Sequence, residues 1–199
     1  PVDMSEMEVR KGRDNVLYVM HDERTGRTCG SDIPIEKALA TEIAHVTMKN
    51  GEPVPTLNDV LALVAGRAAL NLEIKSEGAG ALTVAHLVGS GYRGSVLLSS
   101  FREREVLDAK RIAPAIPVAG IFDAFSPADV RAYRYRGYNI ISLNRKTVTP
   151  ELVSALHENG IRVYVWTIDE EEDMRQLIGW GVDGIYSNRP VPLRHVMLG

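Results

Sequence analysis

From residue 70 onward, short apolar runs alternate with helical segments, and this alternation limits the fold more than any other feature of the chain. Leu70-Asn71-Leu72-Glu73-Ile74-Lys75, Val96-Leu97-Leu98-Ser99 and residues 117–122, 139–143, 162–166 and 183–187 read as strands. Between them, residues 79–90, 103–112 and 170–179 read as helices. Two more open at Ser126-Pro127 and at Thr149-Pro150, each a capping hydroxyl followed by a first-turn proline. Strands of near-continuous apolar character separated by helices imply parallel strands covered by those helices. The pattern reads as an α/β barrel. A doubly wound open sheet is the competing architecture, and the absence of a Gly-rich dinucleotide fingerprint after the first strand weakens it. No linker or low-complexity tract interrupts residues 1–199, so a single domain is expected.

The N-terminal part is organised differently. Residues 1–10 are strand-like, 11–15 supply turn residues, and 16–20 read as a second strand. That connection is too short for a crossover helix, so a hairpin is expected. Residues 23–31 form a polar loop, 33–46 are mildly helical, and 56–65 form a better helix opened by Thr56 with Asp59 three residues on. A short tail follows Arg189-Pro190.

Composition excludes several classes of function. With 23 basic and 26 acidic residues, the net charge of −3 argues against a nucleic-acid-binding protein, which needs an excess of positive charge on one face. No apolar run approaches the roughly 18 residues of a membrane span. The single Cys29 excludes an internal disulfide and is compatible with a reducing compartment. No leader is visible in these residues, and a cytoplasmic location is expected.

In a parallel barrel the reacting groups sit at the C-terminal ends of strands. Glu6 and Glu8 lie two apart in an extended stretch and share a face, where they repel each other unless a cation or proton lies between them. Glu73 sits inside an apolar strand, where an unpaired carboxylate is costly, and Lys75 on the same face is its natural ion-pair partner. Three carboxylates from two strand ends suit a hard cation, Mg²⁺ or Ca²⁺, better than zinc. His21, followed by Asp22, ends the second hairpin strand, and folding back brings it level with Glu6 and Glu8 as a general acid or base. A turn histidine at the surface is the blander alternative. His45, His86, His157 and His195 fall on helices or the tail and read as structural. Ser100 with Glu103, and Thr167 with Glu170, read as capping boxes for the helices that follow. Arg131, Arg134 and Arg136 read as a solvated helix face.

Taken in order, Glu6-Met7-Glu8-Val9-Arg10, Val19-Met20-His21-Asp22, Arg27-Thr28, Val54-Pro55-Thr56-Leu57, Leu72-Glu73-Ile74-Lys75, Ser100-Phe101, Trp166-Thr167 and Val182-Asp183-Gly184-Ile185 resemble the glycerophosphodiester phosphodiesterases over essentially the whole chain. That family consists of metal-dependent TIM-barrel hydrolases. The resemblance implies cleavage of a small-molecule glycerophosphodiester, such as glycerophosphocholine, into glycerol 3-phosphate and an alcohol. It implies that Glu6, Glu8 and Glu73 hold the divalent cation, and that His21 is one of two catalytic histidines, protonating the leaving alkoxide. Lys75 would stabilise the phosphate, and Phe101 and Trp166 would line the substrate cleft.

The chain departs from the family pattern in places. Glu6-Met7-Glu8 stands where Glu-x-Asp is usual, Arg13-Asp14-Asn15 where an Asp-Gly turn is typical, and Ser187-Asn188 where Thr-Asp is more common. A His-Arg-Gly strand end, bearing the other histidine and a phosphate-binding arginine, has no counterpart in the sequence. Barrels of this kind typically need roughly 250 residues, and the hairpin's first strand with the six later ones supplies seven of the eight barrel strands. The expectation is therefore a barrel without its first βα unit, whose 199 residues alone show little activity while the longer parent is the enzyme. Two alternatives are a non-catalytic metal- or phosphate-binding homologue and a sphingomyelinase D-like phosphodiesterase. The Trp166-Thr167 and Glu73-Ile74-Lys75 contexts fit the latter less well.

Overall fold

Residues 3–198 are described in a computed structural model of the chain, so Pro1 and Val2, where the first strand was expected to begin, lie outside the described residues. The chain divides into two units, Asp3–Ile116 and the residues from Pro117 onward.

In the first unit, β1 (Met4–Lys11) and β2 (Leu17–Val19) form the expected antiparallel hairpin, with Val9 opposite Val19 and Lys11 opposite Leu17. The turn closes through Gly12 N–H donating to the Val16 carbonyl at 2.8 Å. Asn15 takes a left-handed φ of 68°, a conformation asparagine tolerates better than most residues. Strand β3 (Ala69–Ile74) pairs in parallel with β1, and β4 (Val96–Ser100) pairs in parallel with β3, giving the order β2-β1-β3-β4. Leu70, Leu72, Ile74, Leu97 and Leu98 are buried, which accounts for the unbroken apolar character of these strands.

The segment expected to be mildly helical, 33–46, forms only a 3-10 turn at Ile35–Lys37 and one α-helical turn, α1 (Ala40–Ile43). Tertiary burial shapes it instead. Ile35, Ala38, Ile43 and Val46 enter a small core with Tyr18, Met20, Cys29 and Val54, and this core fixes the long connection after the hairpin. Helix α2 (Leu57–Val64) begins with the expected box: Asp59 N–H donates to Thr56 Oγ1 at 3.2 Å, and Thr56 N–H donates to Asp59 Oδ2 at 2.9 Å. Helices α3 (Ala79–Gly89) and α4 (Glu103–Ile112) follow β3 and β4. The expected box of Ser100 with Glu103 does not form. Arg102 caps α4 without a side-chain bond, because Ser100 Oγ is engaged elsewhere, donating to the Ile74 carbonyl at 2.6 Å.

The second unit carries β5 (Val118–Phe122), β6 (Ile140–Asn144), β7 (Arg162–Trp166) and β8 (Gly184–Ile185), parallel and in that order. Ser126 opens a 3-10 turn, Pro127–Asp129, before α5 (Val130–Tyr135). Thr149 Oγ1 accepts from Leu152 N–H at 3.2 Å and caps α6 (Pro150–Glu158) as its sequence implied. Helix α7 (Glu171–Gly179) starts after Glu170, which has no side-chain cap bond, so the box expected of Thr167 and Glu170 is absent. The last strand is two residues long where five were expected. The chain turns there to let Tyr186 accept from Ile168 N–H at 2.9 Å. What read as a tail is helix α8 (Pro190–Leu198), whose two prolines sit in the first turn, where no amide donor is needed. Among the described residues no helix is long and apolar enough to cross a membrane.

Candidate metal centre and active site

Parallel register brings the acidic residues together. Glu8 lies directly opposite Glu73 across β1 and β3, and Glu6, two residues earlier on β1, shares their face. One carboxylate oxygen from each of Glu6, Glu8 and Glu73 lies within 4.8 Å of the others. Glu73 is 7% exposed. Burial raises its pKa, with Glu8 adding to the rise and Lys75 opposing it. Glu6 keeps contact with solvent yet is crowded by protein. Desolvation first, then repulsion from Glu8 and Glu73, pushes it up to about 7 against the pull of Lys75. Three oxygen donors held this close, with no sulfur or imidazole among them, fit a hard divalent cation.

His21 follows β2 at the same end of the sheet, as Met20 N–H donates to the Glu8 carbonyl at 2.9 Å. Its Nε2 lies 4.0 Å from Glu8 Oε1. On the other side of the ring, Nδ1 lies 2.6 Å from Asp22 Oδ1. Arg27 holds the same carboxylate, Nε to Oδ2 at 2.5 Å, and with His21 keeps Asp22 down at about 2. An ionised Asp22 only accepts, which assigns the proton to Nδ1 and directs Nε2 toward the carboxylate cluster. Lys75 Nζ makes the expected ion pair with Glu73 Oε1 at 2.7 Å and lies 5.9 Å from the centre of the Phe101 ring. Phe101 is 48% exposed at the end of β4. Trp166 ends β7 in the second unit.

Several residues that sequence reasoning passed over support this site. Arg10, only 7% exposed, donates from Nε and Nη2 to the His21 carbonyl at 3.0 and 2.8 Å. Its Nη1 lies 3.3 Å from Glu36 Oε1, which also accepts from Ser76 Oγ at 2.7 Å. The available signal was periodicity: Arg10 continues the two-residue spacing of Glu6 and Glu8. Ser100 Oγ accepts from Arg102 N–H at 2.9 Å, and Arg102 Nε donates to the Lys75 carbonyl at 3.0 Å, tying the ends of β3 and β4 together. The histidines read as structural include two that bridge elements. His86 meets Asn58 at 3.1 Å, and His157 meets Asp183 at 2.8 Å. At the Ser187-Asn188 departure, Asp169 accepts from Ser187 Oγ at 3.0 Å and from Asn188 N–H at 2.8 Å, tying the segment after β8 to the one after β7.

The model of the glycerophosphoryl diester phosphodiesterase family matches residues 1–191. The chain belongs to this family. A glycerophosphodiester phosphodiesterase of Caldanaerobacter subterraneus is 30% identical across 94% of this chain and 83% of that protein. A glycerophosphodiester phosphodiesterase from Agrobacterium tumefaciens, of known structure, is 28% identical with a TM-score of 0.83, covering 99% of this chain and 87% of that one. A phosphodiesterase from Oleispira antarctica, solved with the product sn-glycerol-3-phosphate, superposes with a TM-score of 0.89 at 22% identity, covering 100% of this chain and 86% of that one. The fold class read from the sequence, an α/β barrel of the phosphodiesterase type, is that of these relatives.

Proposed function

We propose that this glycerophosphodiester phosphodiesterase domain hydrolyses small glycerophosphodiesters to glycerol 3-phosphate and an alcohol, with a divalent cation held by Glu6, Glu8 and Glu73. The observation that carries the reading is the convergence of those carboxylates within 4.8 Å, with His21 Nε2 4.0 Å from Glu8. A cation held by these carboxylates would neutralise phosphate charge and make the attacking hydroxyl easier to ionise. Mg²⁺ and Ca²⁺ both suit the oxygen donors.

The protein's own groups do the rest. His21, its Nδ1 proton fixed by Asp22, gives the leaving alkoxide the Nε2 proton that the ring carries as an imidazolium, and returns to the neutral Nδ1–H form. Lys75, between Glu73 and the face of Phe101, offers a point charge to a phosphate oxygen. Phe101 presents an apolar edge for the glycerol or alcohol carbons. For Trp166 the same role rests on the family pattern and its place at the end of a strand. A single family model running across both units supports reading them as one domain.

Glycerol 3-phosphate release from glycerophosphocholine tests the reading. It is measured with Mg²⁺, with Ca²⁺ and with chelator, on the 199-residue chain and on the chain preceded by a His-Arg-Gly segment. Cation-dependent release by either form supports the proposal. No release by either, or release indifferent to chelator, contradicts it.

A further inference from the structure

The two serines that end β4 are used differently. Ser100 Oγ donates to the Ile74 carbonyl at 2.6 Å and accepts from Arg102 N–H at 2.9 Å, so its hydrogen-bonding capacity serves the backbone. Ser99 is 0% exposed, and its Oγ has no hydrogen-bond partner in the protein. A buried hydroxyl left in this condition is destabilising, and native proteins keep few of them without cause.

Its position supplies the cause. Ser99 stands opposite Glu73 across β3 and β4, and Glu73 stands opposite Glu8 across β1 and β3. Glu8, Glu73 and Ser99 thus form one row on one face of three adjacent parallel strands, spaced about 4.8 Å apart as neighbouring strands are. Other buried hydroxyls also lack partners, Ser142 Oγ and Thr83 Oγ1 among them. Neither stands in such a row: Ser142 lies opposite Ile121 and Tyr164, and Thr83 lies on α3.

From this row we infer that Ser99 is a further member of the cation site, a neutral oxygen that takes a hydrogen bond from water held on the cation beside Glu73. The inference rests on the reading of Glu6, Glu8 and Glu73 as cation ligands. A hydroxyl adds an acceptor without a fourth negative charge, which the mutual repulsion of the three carboxylates would penalise. It also suits a small cation that retains part of its water.

Calorimetric titration of Mg²⁺ and Ca²⁺ into the 199-residue protein and its Ser99→Ala, Ser142→Ala and Glu73→Gln variants tests this without any turnover measurement. Ser99→Ala is expected to weaken cation binding by about tenfold, the lower range for loss of a partner behind metal ligands. Its melting temperature without cation should stay equal to that of the unsubstituted protein or rise, because an unpaired buried hydroxyl has been removed. Ser142→Ala should leave the affinity unchanged. If the unsubstituted protein binds, Glu73→Gln abolishes binding and Ser99→Ala binds as the unsubstituted protein does, the inference is overturned while the cation site stands. Failure of the unsubstituted protein to bind either cation overturns the site itself, and the role of Ser99 with it.

Discussion

In the proposed reaction His21 and the three glutamates divide the chemistry between proton transfer and charge neutralisation, and substitution should separate the two. Glu73→Gln keeps the shape of a buried side chain but removes its charge. It should weaken cation binding by at least the roughly 10- to 100-fold that loss of supporting partners costs at metal sites, measurable by calorimetry. His21→Gln should leave that affinity near its original value while lowering turnover of glycerophosphocholine, measured on the chain preceded by a His-Arg-Gly segment, by roughly 10²–10⁴-fold, the usual contribution of a general acid or base. A His21→Gln variant with unimpaired turnover would remove the histidine from the mechanism. At this scale the sequence disclosed the carboxylates well, because a two-residue spacing in an extended segment puts Glu6 and Glu8 on one face by geometry alone. The opposition of Glu8, Glu73 and Ser99 was hidden, since it depends on strand register, which spacing within one strand does not define. The spacing also places Arg10 on that face, but its bonds to the His21 carbonyl depend on how the chain folds back after the hairpin, and its other partner, Glu36, lies 26 residues away.

Strands, helices and caps carry the site by fixing where each strand ends. The box at Thr56 is the clearest local device, and Thr56→Ala should destabilise the protein by about 1 kcal/mol in chemical denaturation. The Thr56 bonds hold the Asp59 pKa below its ordinary value. A depressed folded pKa means that this contribution is present above the unfolded value, about 3.9, and fades as pH falls through the folded one. The destabilisation caused by Thr56→Ala should therefore shrink in acid, and a loss that is constant from neutral pH to about pH 3 would contradict this account. Caps at Thr56 and Thr149 were readable because a capping hydroxyl and its amide partner lie within one turn of each other. The caps expected at Ser100 and Thr167 failed for a non-local reason in the first case: the Ser100 hydroxyl serves the neighbouring strand instead. Segment 33–46 was misread because its apolar spacing serves a small irregular core rather than a helix face.

Across the molecule, the proposed cation would link stability and function. Glu6, Glu8 and Glu73 repel one another in the folded chain, and Glu6 is pushed up to about 7 in part by that repulsion. A ligand that binds only the folded state stabilises it by about 2.7 kcal/mol at a hundred times its dissociation constant. For a protein of this size that is a rise of roughly 5–10 °C in melting temperature. The effect should disappear with chelator and in Glu73→Gln. The decisive measurement is equilibrium binding of glycerol 3-phosphate to the 199-residue protein, with Mg²⁺ or Ca²⁺ present and again after chelation. Binding that requires the cation and is lost in Glu73→Gln is the predicted result. Equal binding with and without the cation, or unimpaired binding by Glu73→Gln, would contradict the assignment of Glu6, Glu8 and Glu73 as the centre of a phosphodiesterase site.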